Sequence, residues 1–266
     1  MIRLVVNAEG FGMSAEADAR AIDGHRRGIV TSVAVVGNAG DLLGTVATLR
    51  AAPELGVGLS LALTAGAPVA DVGRVPSLVG PDLRLRPSGA EFALAWAKGA
   101  IAPLDVEREL EAQIARAREA GLDLDHLSTS RNLGFLPGVG TIVEKLAQRF
   151  GIGGVRSSVE PPNLAWVASP RRGLQTAVLS GMAWLTRRRM GTLRHGPSTW
   201  GYVESDRLDE VRILEIIGRL GPGAHELLCH PGGPGGAGEL AALASDKIRT
   251  AIGERGIVLS RWRDLF

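Results

Sequence analysis

Several residue types are scarce in this chain. Among its 266 residues there is one cysteine, Cys229, and one tyrosine, and aromatic side chains make up only 4%. A lone thiol in the apolar run Glu226-Leu227-Leu228-Cys229 cannot build a disulfide framework or a cysteine-based zinc site within one chain, and it reads as a small buried hydrophobe. Charge of one sign is scarce too, since 30 Lys and Arg stand against 28 Asp and Glu for a formal net charge of +2. The pI of about 9.1 therefore reflects a slight arginine excess, far from the basic stripe of a nucleic-acid binder, and nucleic acid is excluded as a partner. No apolar run reaches the length of a spanning helix, and the first residues lead into a strand with no basic region and cleavage site before it. The expectation is a cytoplasmic protein.

What is present is a chain that is 45% hydrophobic, enough for a large core, read as one domain over residues 1–266. Leu4-Val5-Val6 runs into the polar, glycine-bracketed turn Asn7-Ala8-Glu9-Gly10-Phe11-Gly12, and Ser14 then caps a helix from Ala15 to Arg27 that Gly28 stops. A β-branched strand from Ile29 to Val36 follows, then a helix from about Asp41 to Ala51 and a strand from Gly56 to Thr64. The Gly/Pro-containing loop from Ala65 to Pro87 is too long for a mere connector and reads as a binding wall. A helix capped by Asp105 runs to Ala120, and a strand from Leu122 to Thr129 carries His126. After a helix ending near Phe150, a short strand from Gly153 to Pro162 sets Arg156 and Glu160 near its rim.

Next come a helix from Arg171 to Arg189, another from Asp206 to Leu220, a strand from Ala224 to Cys229, and a turn from His230 to Gly236. One helix and one strand, from about Leu240 to Leu259, close the chain. Helix 171–189 has an apolar middle, Ala177 to Leu185, and a basic end, Arg187-Arg188-Arg189. It reads as a core-facing helix with cations at its C-terminus or, alternatively, as a weak contact with an anionic membrane surface. Strands alternate with helices six or seven times with no repeat or linker, which predicts an α/β fold with parallel strands in a barrel or open sheet.

Five stretches together carry a resemblance. Asn7-Ala8-Glu9-Gly10-Phe11-Gly12 resembles Asn-Ala-Asp-Asp-Phe-Gly, and Gly58-Leu59-Ser60-Leu61-Ala62-Leu63-Thr64 resembles Gly-Leu-His-Leu-Asn-Leu-Thr. His126-Leu127-Ser128-Thr129-Ser130-Arg131-Asn132 stands where His-x-Asp-Ser-His-x-His is expected, with Leu136-Pro137-Gly138 after it. Glu226-Leu227-Leu228-Cys229-His230-Pro231-Gly232 is similar to Glu-Leu-Met-Cys-His-Pro-Gly. His25 to Ser32 matches the passage into the second strand. These are the signatures of the YdjC-like (ChbG/HpnK) carbohydrate deacetylases, and the chain resembles them over nearly its whole length.

The resemblance implies a distorted, incomplete (β/α) barrel of TIM-like type. It also implies removal of N-acetyl groups from amino sugars by a divalent metal held by one aspartate and two histidines. Those ligand positions are here Gly10, Ser60 and Ser130, and the supporting aspartate is Ser128. Glycine offers no side-chain ligand and serine hydroxyls are poor ones, so neither a metal nor another cofactor is expected. Glu9 keeps a carboxylate at the general-base position and His230 stands where a histidine assists, so these two are the candidate catalytic residues. Asn7, Ser60, Ser130, Arg131, Arg156 and Glu160 complete the candidate substrate site. Each has a plain structural reading as well: Glu9 as a carboxylate near a helix terminus, His230 as a turn residue, Arg156 with Glu160 as an ion pair. His126, His195 and His225 lack partners at metal-ligand spacing.

Unbound water has a pKa of about 15.7 against about 7 on catalytic zinc. An acid-base pair contributes roughly 10²- to 10⁴-fold and does not close that gap. The favoured expectation is a family member that binds a sugar-like or glycosylated ligand without metal-dependent hydrolysis. Two alternatives stand beside it: a metal-independent isomerase, lyase or cyclase using Glu9 and His230, and a residual deacetylase of N-acetyl amino sugars or a hopanoid-linked glycolipid.

Overall fold

In the computed structural model, residues 1–156, 160–161, 170–187, 197–203, 205 and 207–265 are described. The strands among them are β1 (Ile2–Phe11), β2 (Ser32–Val36), β3 (Gly56–Leu61), β4 (His126–Thr129), β5 (Gly154–Val155), β6 (Ser198–Trp200), β7 (Gly223–Cys229) and β8 (Ile257–Leu259). The helices are α1 (Ala15–Arg27), α2 (Leu42–Arg50), α3 (Gly89–Ala97), α4 (Pro103–Glu119), α5 (Val139–Arg149), α6 (Pro170–Arg187), α7 (Glu210–Arg219), α8 (Gly236–Leu243) and α9 (Asp246–Glu254).

Every strand pairing is parallel, in the order β5-β4-β3-β2-β1-β7-β6, with β8 alongside the first residues of β1. Among the described residues no pairing joins β5 to β6, so the sheet curls into a half-barrel flanked by helices. β1 holds the centre because Leu4, Val5 and Val6 are apolar on both faces, as a doubly covered parallel strand requires, and all three are fully buried. Ser14 caps α1 as expected, its Oγ accepting from Ala17 N at 3.1 Å. Gly28 stops the helix for a packing reason: a Cβ there would lie 2.6 Å from the carbonyl oxygens of Gly24 and Leu243.

The barrel floor is filled by aromatic stacking that two glycines make room for. Trp262 stacks on His126 with ring centroids 4.6 Å apart, and the His126 ring lies where a Cβ on Gly58 would sit, 2.1 Å from its Cε1. A Cβ on Gly154 would meet Trp262 at 2.7 Å. His126 is fully buried and its Nδ1 pairs with Asp125 Oδ1 at 2.7 Å, so it belongs to the floor. His225 is likewise held by Ser198 Oγ at 2.6 Å and Gly221 O at 2.8 Å.

Several sequence expectations change. Asp105 does not cap α4: the helix starts at Pro103, whose fixed φ and missing N–H suit a first helical position, and Asp105 instead accepts from Ser77 N at 3.0 Å and Ser77 Oγ at 2.7 Å. The segment after Leu240 is two helices, not one, because Ser245 breaks the run and caps α9. Helix α3 carries a Ser88-x-x-Glu91 start and buries Phe92, features not read from the sequence as a helix. The end of the expected strand 153–162 and the end of the expected helix 171–189, with Arg188 and Arg189, fall partly outside the described residues, as does His195. No helix among the described residues is long and apolar enough to cross a membrane.

Candidate functional site

A cleft of about 910 Å³ opens at the C-terminal ends of the strands. Side-chain alternation along each strand brings Glu9 from β1, Ser130 beyond β4, Arg156 beyond β5 and His230 beyond β7 to its wall. Arg131 and Asn132 also line it, from a turn after β4 in which both residues adopt left-handed backbone, φ 58° and 54°. Two consecutive non-glycine residues in that region store strain, which concentrates at ligand-facing turns. The turn is braced by Gly134 N donating to Thr129 Oγ1 at 2.8 Å.

The electrostatic centre is Arg156, itself nearly buried. Its Nη1 contacts Glu9 Oε1 at 2.6 Å, while its Nε and Nη2 donate to Glu226 Oε2 and Oε1 at 2.8 and 2.6 Å. The second of these is a fork-on-fork pair, the strong form of an arginine–carboxylate contact. Burial works against the guanidinium charge, but Glu226 and Glu9 beside it outweigh that and hold the group above its ordinary range. Trp262 Nε1 donates to Glu226 Oε1 at 3.2 Å, so the floor and the cleft are joined through one carboxylate.

Asn7 is fully buried and donates from Nδ2 to Glu9 Oε1 at 3.1 Å. Both contacts to Glu9 thus fall on Oε1, and Oε2 takes neither. Where the sequence suggests an ion pair of Arg156 with Glu160, the guanidinium pairs with Glu9 and Glu226, and Glu160 Oε2 accepts from the backbone N–H groups of Tyr202 and Val203, each at 3.0 Å, fixing the segment after β6. His230 N donates to Glu239 Oε2 at 2.6 Å and its Nδ1 lies 3.3 Å from Ser205 Oγ. The sequence-predicted residues Glu9, Arg156, His230, Ser130 and Arg131 therefore share one cleft, whereas Asn7, Ser60 and Glu160 stand behind it.

Of the positions that the resemblance matches to metal ligands, Ser60 and Ser130 face each other, their Oγ atoms 3.2 Å apart. Gly10, at φ 80°, brings no side chain. Among the described residues no group of three or more His, Cys, Asp and Glu is placed to hold a metal ion. Cys229 is buried, its thiol pushed up by burial and then by Glu239, Glu9 and Glu226.

Glu226 is the participant that sequence reasoning missed. A fully buried charge at the centre of an apolar strand was the available signal, because the two-residue period places 226 on the same face as 230. The long loop also forms a wall through Ala65 and Gly66, next to Thr64, and Asn38 clamps it by donating to Ala65 O and Ala67 O at 2.9 and 3.1 Å.

A carbohydrate deacetylase from Geobacillus stearothermophilus is 29% identical over 275 aligned positions, covering 98% of this chain and 97% of its own length. A carbohydrate deacetylase from Brevibacillus brevis is 34% identical over 151 residues, covering 57% of this chain and 58% of its own length. Among solved structures, a protein from Enterococcus faecalis described for cellobiose-phosphate cleavage superposes with a TM-score of 0.80 at 23% identity, over 99% of this chain and 98% of that one, a likeness of fold. The family described as YdjC-like protein matches residues 3–254, and with the half-barrel and its rim motifs this means that the chain belongs to the YdjC-like family.

Proposed function

We propose that this protein binds a sugar-like ligand in the cleft at the strand ends and does not carry out metal-dependent N-acetyl hydrolysis. The observation that carries the reading is the hydrogen bond between Ser60 Oγ and Ser130 Oγ, 3.2 Å apart at the two positions where the resemblance puts histidine ligands. Two neutral hydroxyls bonded to each other, with a glycine at the third matched position, do not fit a divalent cation that needs deprotonated or imidazole donors.

The remaining groups suit recognition of hydroxyls. Arg156 and Asn7 hold Glu9 by one oxygen, so its carboxylate meets the cleft in a fixed orientation and Oε2 can accept from a sugar hydroxyl. Ser130, Asn132 and His230 add donors and acceptors around the same space. The relatives named above are carbohydrate deacetylases, which supports a carbohydrate-derived ligand.

The test pairs elemental analysis of the purified protein with an acetate-release assay on N-acetyl amino sugars in the presence of zinc, cobalt or magnesium. The expected result is no stoichiometric metal and no acetate above background, with thermal stabilisation by chitooligosaccharides that grows with their concentration. Stoichiometric metal accompanied by acetate release would overturn the reading.

A further inference from the structure

Among the described side chains of α6, several large apolar ones lie in solvent while the buried ones are small, unlike an ordinary surface helix. Leu174, Val178, Trp184 and Leu185 are 68, 54, 53 and 47% exposed, and Ala177 and Gly181 lie on the same face at helical spacing. Inward, Gly173, Thr176 and Ala183 are buried. The core-facing expectation for this helix is therefore overturned, since most of the residues in its apolar middle face outward.

Charge supplies the second observation. Residues 161–203 contain six arginines, Arg171, Arg172, Arg187, Arg188, Arg189 and Arg194, and no aspartate or glutamate. The chain as a whole is nearly balanced, so the rest of it is slightly negative. An apolar helical stripe with a tryptophan, bracketed in sequence by cations and free of acids, is the composition that lies in the headgroup region of an anionic bilayer.

We infer that α6 is a docking face for an anionic lipid bilayer. A second copy fits less well, because a two-fold interface would lay stripe on stripe and bring arginine-rich segments together with no acid in them to pair. A nucleic acid would leave the exposed leucine, valine and tryptophan without an apolar partner. The helix also borders the functional cleft: it packs on the Ser130–Phe135 turn, and Thr176 and Leu179 share a small cavity with Arg156 and Tyr202.

Co-sedimentation of the full chain with vesicles tests this. Phosphatidylglycerol vesicles should bind the protein at least about tenfold better than phosphatidylcholine vesicles, and salt should weaken that binding. Val178→Asp with Leu185→Asp, and separately Arg187→Glu with Arg188→Glu and Arg189→Glu, should each lower binding by about tenfold or more at an unchanged melting temperature. Should a variant fail to fold, a second readout decides: brominated phosphatidylglycerol should quench wild-type tryptophan fluorescence, and Trp184→Phe should lose most of that quenching. No preference for the anionic vesicles, wild-type binding by both variants, or quenching unchanged in Trp184→Phe each overturns the inference. So does a dimer, seen by light scattering, that Val178→Asp with Leu185→Asp dissociates in a protein that ignores vesicles.

Discussion

Helices α4 and α6 both support walls of the cleft, yet they place their large apolar residues differently: α4 buries Val106, Leu110 and Ile114, and it buries polar side chains beside them. On α4, Asp105, Glu109 and Gln113 repeat every four residues and are buried, while on α6 leucine, valine and tryptophan stay in solvent. The polar residues of α4 are buried because each finds backbone partners in the long loop and in the strand end before it. Glu109 accepts from Val69 N at 2.9 Å and Ala70 N at 3.0 Å, and Gln113 bonds both Ala62 N and Ala62 O. The loop has no regular ladder of its own, so these side chains satisfy the backbone groups that its burial strands. On α6 the buried positions among the described side chains are the small residues Gly173, Thr176 and Ala183. On α4 polar residues join the apolar ones inside where backbone groups wait to bond them.

The sharpest way to break this contrast is Glu109→Ala, which leaves Val69 N, Ala70 N and Gln113 Nε2 without their acceptor. A loss of about 2–4 kcal/mol is expected in urea denaturation, because unsatisfied buried donors cost roughly 1–3 kcal/mol each and partial relaxation recovers some of it. A loss below about 0.5 kcal/mol would mean that the loop is not held this way. Gly37→Ala attacks the same stripe from outside, since its Cβ would lie 2.1 Å from Gln113 Oε1. With that amide pinned on Ala62, about 1–3 kcal/mol of overpacking should appear as a lowered midpoint.

Glu107→Gln probes the outer face of α4, where Lys145 and Arg149 of α5 contact the carboxylate. The Lys145 hydrogen bond foremost, and that of Arg149, hold this carboxyl below its ordinary value of 4.5. A depressed folded-state value contributes stability above the unfolded pKa and loses it as pH falls through the folded one. The wild-type advantage over Glu107→Gln should therefore be under about 1 kcal/mol at neutral pH and disappear in acid below that range. An advantage that grows in acid would contradict the pairing. Leu174→Gln on α6 should change stability by no more than about 0.5 kcal/mol, measured by thermal melting, because the side chain is already exposed.

Much of the barrel was legible locally. Leu4-Val5-Val6, Ser14 and the regular alternation of strand and helix named β1, α1 and a parallel fold, because buried parallel strands and capped helices write themselves into consecutive residues. Arg156 was legible as a rim residue from its place near a strand end, while Glu9 and His230 became catalytic candidates through the resemblance. Pairings across the barrel left no local trace: that Arg156 binds Glu226 as well as Glu9, or that Glu160 anchors the backbone at Tyr202, depends on residues 42 to 147 positions apart. Asp105 misled for the same reason, since its partner Ser77 lies in a loop 28 residues earlier.

By itself the sequence determined the succession of elements and left a single cysteine, which follow from residue identity and short spacing, while its resemblance picked out Gly10, Ser60 and Ser130 for comparison. Only the tertiary structure decided that Ser60 and Ser130 satisfy each other, that Arg156 sits between two carboxylates, and that α6 turns its apolar side to solvent. Those outcomes depend on which distant groups meet inside the barrel, and burial sorts residues by the partners available there.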